Sequence, residues 1–206
     1  MALILFDFDG VLADTLSDML RFAQEVCAEL GIHRIVTPAD LDALDSMSFV
    51  EYGKQLGVPP PLADEFANRC LKKFMQKPSP PRIFDGMAQV IEQLSARHAI
   101  GIVTGNTTRT VENFLVENGI QKYVGAVFAV DQPGTKPEKI LMARRQLAKF
   151  REEVYFVGDA VSDIQAARST SVKSIAVSWG HQSNEKLISA EPDYLVHSPR
   201  ELLDFL

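Results

Sequence analysis

The sequence predicts an α/β fold: a doubly wound, mostly parallel sheet with a helical segment inserted after its first strand. Three observations predict it. Short apolar runs alternate with helical patterns from Ile83 onward, and such alternation builds a parallel sheet covered on both faces. A stretch of purely helical periodicity, from about Thr15 to Lys77, interrupts that order. Four of the apolar runs lead into acidic, hydroxyl or lysine residues, and the carboxyl ends of the strands are where an open α/β sheet gathers its ligands.

The first run, Leu3 to Phe6, leads straight into Asp7-Phe8-Asp9-Gly10. Its shortness and continuous apolar character suit a strand buried on both faces. Residues two apart on a strand point the same way, so Asp7 and Asp9 begin as neighbours. Two ionised carboxylates that close repel unless a cation or a shared proton relieves them. Gly10 lets the chain turn sharply just beyond. The chemical reading is a hard-cation site with one nucleophilic and one proton-transferring carboxylate.

After this strand the period changes. Leu16, Met19, Leu20, Ala23, Val26, Cys27 and Leu30 lie at helical spacing, and Gly31 closes the helix. Thr37-Pro38-Ala39-Asp40 reads as an N-cap with proline at the first helical position. Ser48-Phe49-Val50-Glu51 reads as a capping box for a helix ending near Gly57. Pro59-Pro60-Pro61 breaks the chain before a helix marked by Leu62, Phe66, Cys70 and Phe74, and prolines from Pro78 to Pro81 stop it.

The alternating part follows. Met87, Val90, Ile91 and Leu94 mark a helix before the strand Ala99 to Val103. Thr104-Gly105-Asn106 comes next, where a hydroxyl and free backbone N–H groups can hold phosphate oxygens. A plain strand-to-helix turn capped by Asn106 or Thr107 uses the same residues. Val111, Phe114 and Leu115 mark the next helix, and Ala126 to Val130 the next strand. Lys136 follows in Gly134-Thr135-Lys136-Pro137, where Pro137 biases it toward an extended backbone in a stiff loop. A helix from about Glu138 to Lys149 precedes the strand Val154 to Val157, which runs into Gly158-Asp159-Ala160-Val161-Ser162-Asp163. An acid at Asp163 also suits the first turn of a helix, metal or no metal. Ile175 to Val177 and Tyr194 to Val196 read as the last two strands.

The segment from Asp7 to Thr15 resembles the first motif of the haloacid dehalogenase superfamily. Thr104, Lys136 and Gly158-Asp159…Asp163 match its remaining motifs in order, the last in the GDxxxD form of a metal motif. The resemblance covers essentially the whole chain. It implies that Asp7 attacks phosphorus and that Asp9 protonates the leaving alcohol and then activates water. Thr104, Gly105, Asn106 and Lys136 would hold the phosphoryl oxygens, with Lys136 the catalytic point charge. Mg²⁺ would sit on Asp7, the Asp9 carbonyl and Asp159, with Asp163 either a direct ligand or an acceptor for metal-bound water. Residues 15–81 would form a small helical cap domain over a core of residues 1–14 and 82–206. Phe8 to Leu12 resembles the family's tight helical turn, Ala13 to Leu16 its moving hairpin, and the segments before Thr15 and after Pro81 its hinges. Val177-Ser178-Trp179-Gly180 also resembles a stretch of relatives with such a cap. A single partly buried aromatic is the plainer reading of Trp179.

Composition bounds the rest. At 206 residues and 46% hydrophobic, the chain suits one domain with a modest insertion. A net charge of −6 and the lack of a basic block exclude a nucleic-acid binder. The N-terminal apolar run is far short of the roughly 20 residues a membrane span needs and lacks a signal peptide's basic flank, so a cytoplasmic protein is expected. The 2 cysteines, Cys27 and Cys70, fall on helical patterns and should be buried reduced thiols. His33, His98, His181 and His197 show no metal-ligand spacing and are expected at the surface or in structural roles. Arg21, Lys54, Arg69, Lys72 and Lys73 could face substrate, but a solvated helix face explains each more simply. Monomer and weak homodimer both remain open.

Within the resemblance, Asp9 argues against dehalogenation, which needs no alcohol protonated. Sugar-phosphate mutases carry a histidine beyond the Asp14-Thr15 pair, whereas Leu16 to Leu20 holds none. A Mg²⁺-dependent phosphomonoesterase acting on a small phosphorylated metabolite is the expected activity. Phosphoglycolate leads as substrate from length, cap type and the Asp14-Thr15…Asp18 pattern. The loop around Asp45-Ser46-Met47-Ser48 departs from that group by lacking its Gly-Leu-Pro-like turn. A mutase of the same family and a non-catalytic phospho-ligand sensor are the alternatives.

Overall fold

The computed structural model describes residues 1–148 and 153–206. Its strands are β1 (Ala2–Phe6), β2 (Ala13–Asp14), β3 (Arg82–Ile83), β4 (Ala99–Val103), β5 (Ala126–Phe128), β6 (Glu153–Gly158), β7 (Lys173–Val177) and β8 (Tyr194–Val196). The helices of the insertion are α1 (Leu16–Glu29), α2 (Pro38–Asp42), α3 (Phe49–Gln55) and α4 (Ala63–Met75). Those around the sheet are α5 (Met87–Ser95), α6 (Thr108–Glu117), α7 (Lys136–Leu147), α8 (Val161–Ser169), α9 (Asn184–Ser189) and α10 (Leu202–Phe205).

β1 is apolar from end to end because both its faces are covered. Ile4 and Phe6 pack with Val90, Ile91, Leu94 and Phe114 on one side. Leu3 and Leu5 pack with Ile140, Ala143, Ala166 and Ala167 on the other. The period of two along one strand thus feeds two helical layers. The main sheet runs β5-β4-β1-β6-β7-β8, and every pairing in it is parallel. Reversal of strand order on the two sides of β1 places the crevice at its carboxyl end.

The insertion holds a separate apolar cluster. Phe22, Val26, Leu41, Tyr52, Phe66 and Cys70 are fully enclosed in it, and its buried members all fall between Met19 and Phe74. Gly53 lies so close to Phe66 that a Cβ there would sit 2.8 Å from the ring. Both cysteines are free and buried, and burial pushes the Cys70 thiol up to about 12. The two connections to the sheet pair as an antiparallel ribbon, Ala13 with Ile83 and Asp14 with Arg82. These two-residue strands carry no period and are invisible to pattern reading. The same holds for the short α9 and α10.

Three local expectations change. The strand from Ala126 stops at Phe128 rather than Val130, because the Val130 N–H leaves the sheet and donates to the Asn106 carbonyl (2.9 Å). Lys136 is not extended: it is the first residue of α7, capped by Thr135, whose N–H and hydroxyl both donate to Glu138. Proline fits the first turn of a helix because no partner is needed for its missing N–H, and the capping box outweighs the bias at the preceding residue. At Ser48 only half a capping box forms: its hydroxyl accepts from the Glu51 N–H, while the Glu51 carboxylate takes Lys54. The expected end of α7 at Lys149 lies outside the described residues.

Candidate active site

The carboxyl ends of β1, β4 and β6 and the start of α7 converge on one cleft. The Asp7 N–H donates to the Val157 carbonyl (2.8 Å), which carries the β1–β6 pairing one residue beyond the strand. Its Oδ1 accepts from the Phe8 N–H (2.8 Å), fixing the carboxylate at the strand end. The next residues wind into a single tight turn, in which the Phe8 carbonyl accepts from Leu12 and Ala13.

Asp7, Asp159 and Asp163 are all buried, with carboxylate oxygens within 4.8 Å of one another. Lys136 reconciles them, since its ammonium donates to Asp7 Oδ2 (2.9 Å) and to Asp163 Oδ1 (2.6 Å). Burial disfavours that ammonium, but the carboxylates of Asp163 and Asp7 outweigh burial and hold it protonated. Burial pushes the Asp163 carboxyl up to about 7, against the pull of Lys136. Its Oδ2 accepts from the N–H groups of Asp159 and Ala160 (3.2 Å each), so it also caps the start of α8. The two readings of Asp163, helix-turn acid and cluster member, describe one side chain.

The acids fit only because the backbone around them is bare. Gly10 has φ +75°, and a Cβ there would lie 1.9 Å from Asp159 Oδ2. At Gly158 a Cβ would lie 2.3 Å from that of Asp163.

The Asp9 carboxylate stands outside the triad and takes Asn106 Nδ2 at 3.2 and 3.4 Å. Burial first, then the charge of Asp7, raise its carboxyl to about 6. The Asn106 N–H donates to Thr104 Oγ1 (2.9 Å), so Thr104, buried itself, shapes the loop that presents Gly105 and Asn106 to the cleft. Thr107 is the N-cap of α6, as one sequence reading had it. Of the predicted site residues, Asp7, Asp9, Gly105, Asn106, Lys136 and Asp159 line the cleft, while Thr104 and Asp163 lie buried behind it.

His181 was missed. It is 7% exposed, not at the surface. Its N–H donates to Asp159 Oδ2 (2.7 Å), its Nδ1 lies 2.9 Å from the same oxygen, and its Nε2 pairs with the Thr15 hydroxyl (3.2 Å). Burial works against the imidazolium, but Asp159 prevails and raises its pKa. The available signal was position: His181 follows β7 as the other site residues follow their strands. Trp179, partly buried, donates from its indole to the Val11 carbonyl (3.2 Å).

The cleft encloses about 680 Å³ between the sheet edge and the insertion. Its far wall carries Met19, Met47, Phe49, Val50, Leu71 and Phe74. The basic candidates of the insertion do not line it. Arg21 pairs with Asp18 and Glu25, Lys54 with Glu51, Arg69 with Glu29 and Glu65, and Lys73 with Glu25 and Glu29.

The wall is latched to the core. Ser183 donates from its N–H and hydroxyl to Asp42 (2.7 and 3.0 Å), and Lys186 donates to the carbonyls of Asp42 (2.6 Å) and Leu44 (2.7 Å). Gln182 donates to the Leu44 carbonyl (2.6 Å) and accepts from the Val161 N–H (2.7 Å).

Residues 4–177 match the profile of the haloacid dehalogenase-like hydrolase family. A phosphoglycolate phosphatase from Synechococcus elongatus is 30% identical over 98% of this chain and 96% of its own length. A pyrophosphatase, PpaX, from Listeria monocytogenes is 27% identical over 97% of this chain and 94% of its own length. The structure of a haloacid dehalogenase-like family hydrolase from Streptococcus pneumoniae superposes with a TM-score of 0.82, covering 100% of this chain and 98% of the other at 21% identity. The chain belongs to the haloacid dehalogenase-like hydrolase family.

Proposed function

We propose that this family member is a phosphomonoesterase that transfers the phosphoryl group of a small metabolite to Asp7 and then to water. The observation that carries the reading is a division of labour between two aspartates. Asp7 is tied to Lys136, while the carboxylate of Asp9 is held apart by Asn106.

In the first step an Asp7 oxygen bonds to phosphorus, and the bond from phosphorus to the ester oxygen breaks. Asp9 delivers its proton to that oxygen and the alcohol leaves. A carboxyl raised to about 6 is still partly protonated near neutrality, as a general acid must be. In the second step the now ionised Asp9 takes a proton from water, whose oxygen attacks phosphorus. Inorganic phosphate departs and Asp7 is restored. Lys136, the Thr104 hydroxyl and the groups of Gly105 and Asn106 would bind the phosphoryl oxygens.

The site fits a hard divalent cation, because its buried triad offers oxygen donors alone. Asp7, Asp159 and the Asp9 carbonyl would hold Mg²⁺, which when bound supplies charge to offset repulsion between carboxylates and phosphate. Both Asp163 oxygens already take N–H donors, which favours contact through a metal-bound water. Residues 15–81 would act as the cap, closing on bound ester.

The names of the relatives make phosphoglycolate the first ester to assay and pyrophosphate the second. The test is phosphate release from small phosphomonoesters with and without Mg²⁺, with Asp7→Asn as the blank. Mg²⁺-dependent release that falls at least about thousandfold in Asp7→Asn is expected. Near-normal turnover in that variant would sink the covalent route.

A further inference from the structure

We infer that the alcohol released here is uncharged and has an apolar body larger than two carbons, so that the preferred ester is not phosphoglycolate. The inference rests on the phosphomonoesterase reading and names the substrate class of that same site.

The wall opposite Asp7 decides what the leaving group meets. Among the described residues lining the cleft, Met19, Met47, Phe49, Val50, Leu71 and Phe74 belong to the insertion, together with Ala67 and two serines. The only lysine or arginine among the lining residues is Lys136, and its ammonium is held by Asp7 and Asp163. The remaining basic group, His181, is paired with Asp159. A carboxylate projecting from the phosphoryl site toward this wall would lose its water and find no cation. An unpaired charge in apolar surroundings is strongly disfavoured, whereas each methylene moved there from water is favoured.

The polar handles agree. Ser162, Gln165 and Ser169 line the cleft from α8, and they are neutral at every ordinary pH. They can take a hydroxyl or amide on the substrate but cannot neutralise an acid. Nor is the wall displaced from the site. Its loop is tied to the core through Asp42 and Leu44, by Gln182, Ser183 and Lys186. At about 680 Å³ the enclosed space falls within the range of sites that bury whole metabolites, and glycolate would leave most of it unfilled.

The test uses the full chain with Mg²⁺ and a series of straight-chain alkyl phosphates from ethyl to hexyl, assayed beside 2-phosphoglycolate. Leaving-group acidity is nearly constant along the alkyl series, so its slope reports burial. We expect kcat/KM to rise up to roughly fourfold per methylene and hexyl phosphate to exceed phosphoglycolate at least about tenfold. Met47→Arg and, independently, Leu71→Arg should flatten the slope and raise kcat/KM for phosphoglycolate. A flat series with phosphoglycolate preferred would overturn the inference and leave the phosphomonoesterase intact. Failure to release phosphate from any ester, p-nitrophenyl phosphate included, would remove the reading beneath it.

Discussion

The two walls of the cleft handle charge in opposite ways. On the sheet side, burial raises the carboxyls of Asp9 and Asp163, to about 6 and about 7. On the insertion side, acids have settled partners. Burial opposes ionisation of Asp18 and Asp40, yet Lys77 and Arg21 hold Asp18, and Thr37 and Arg34 hold Asp40, below the usual carboxylate range. One wall keeps acids where they are costly to ionise, and the other keeps its acids satisfied and presents hydrocarbon. On the proposed function, bond breaking belongs to the first wall and the shape of the leaving group to the second.

The largest way to break this contrast is Lys136→Met. Removing the one cation between Asp7 and Asp163 leaves buried carboxylates facing each other. Loss of one partner of a buried pair costs on the order of 3 kcal/mol, and activity should fall at least about a hundredfold. Chemical denaturation with and without Mg²⁺ checks this. The cation should restore part of the stability, and equal stability without it would mean that the carboxylates are not strained.

Gly10→Ala comes next. Its Cβ would press on Asp159 Oδ2 and strain a left-handed φ, at a cost of about 1–3 kcal/mol. Its unfolding free energy from chemical denaturation should drop by that amount, while Gly31→Ala, which also has positive φ but open space around it, should lose less.

The pH dependence sharpens the comparison without mutation. Asp9 and Asp163 have folded values above their unfolded one, so between about pH 4 and 7 the metal-free folded state binds more protons than the unfolded state. Their contribution to stability is therefore lost as pH rises through 6 and 7. Asp18 and Asp40 have depressed folded values, so their contribution is present above the unfolded value of 3.8 and is lost as pH falls below it. Melting temperature of metal-free protein should pass through a maximum on the acid side of neutrality, near pH 5. A maximum above pH 7 would contradict the strained sheet-side wall.

Asp42→Ala has the smallest expected effect. It removes the two bonds from Ser183 at a half-buried position, worth about 1 kcal/mol in stability. KM should rise severalfold with kcat little changed, because the apolar wall is released while the acids stay in place. Steady-state kinetics separates the two.

Much of the sheet-side wall could be read in advance, because several of its residues directly follow an apolar run. Asp7, Thr104 and Asp159 come straight after their strands, and period and polarity change together there. Lys136 was found as a residue but misplaced in conformation, since Pro137 signals both an extended neighbour and a helix start. The Thr135–Glu138 bonds that decide between them span only three residues, and that capping-box spacing was the local signal for the helix start. His181 follows β7 only after an intervening turn, and its partners Asp159 and Thr15 are distant in sequence, so the mark was weaker there. The apolar wall was visible only as helical stripes. Met19 and Phe74 fit those stripes as core positions, and only the assembled helices show that they also face the cleft. Met47 stood out only as part of a loop lacking a Gly-Leu-Pro-like turn, and Leu71 not at all.

The ribbon of β2 and β3 ties the two connections of the insertion into one pivot, beside the separate attachment at Asp42 and Leu44. Two chains leave the sheet, but their backbones are bonded at Ala13–Ile83 and Asp14–Arg82, so neither can rotate without carrying the other. That pivot is joined to the reacting end without slack: the Gly10 N–H donates to the Ala13 carbonyl (2.9 Å), one residue past Asp9. The backbone just past Asp9 and the start of the insertion are thus held in one register, on the same turn that the Phe8 carbonyl closes.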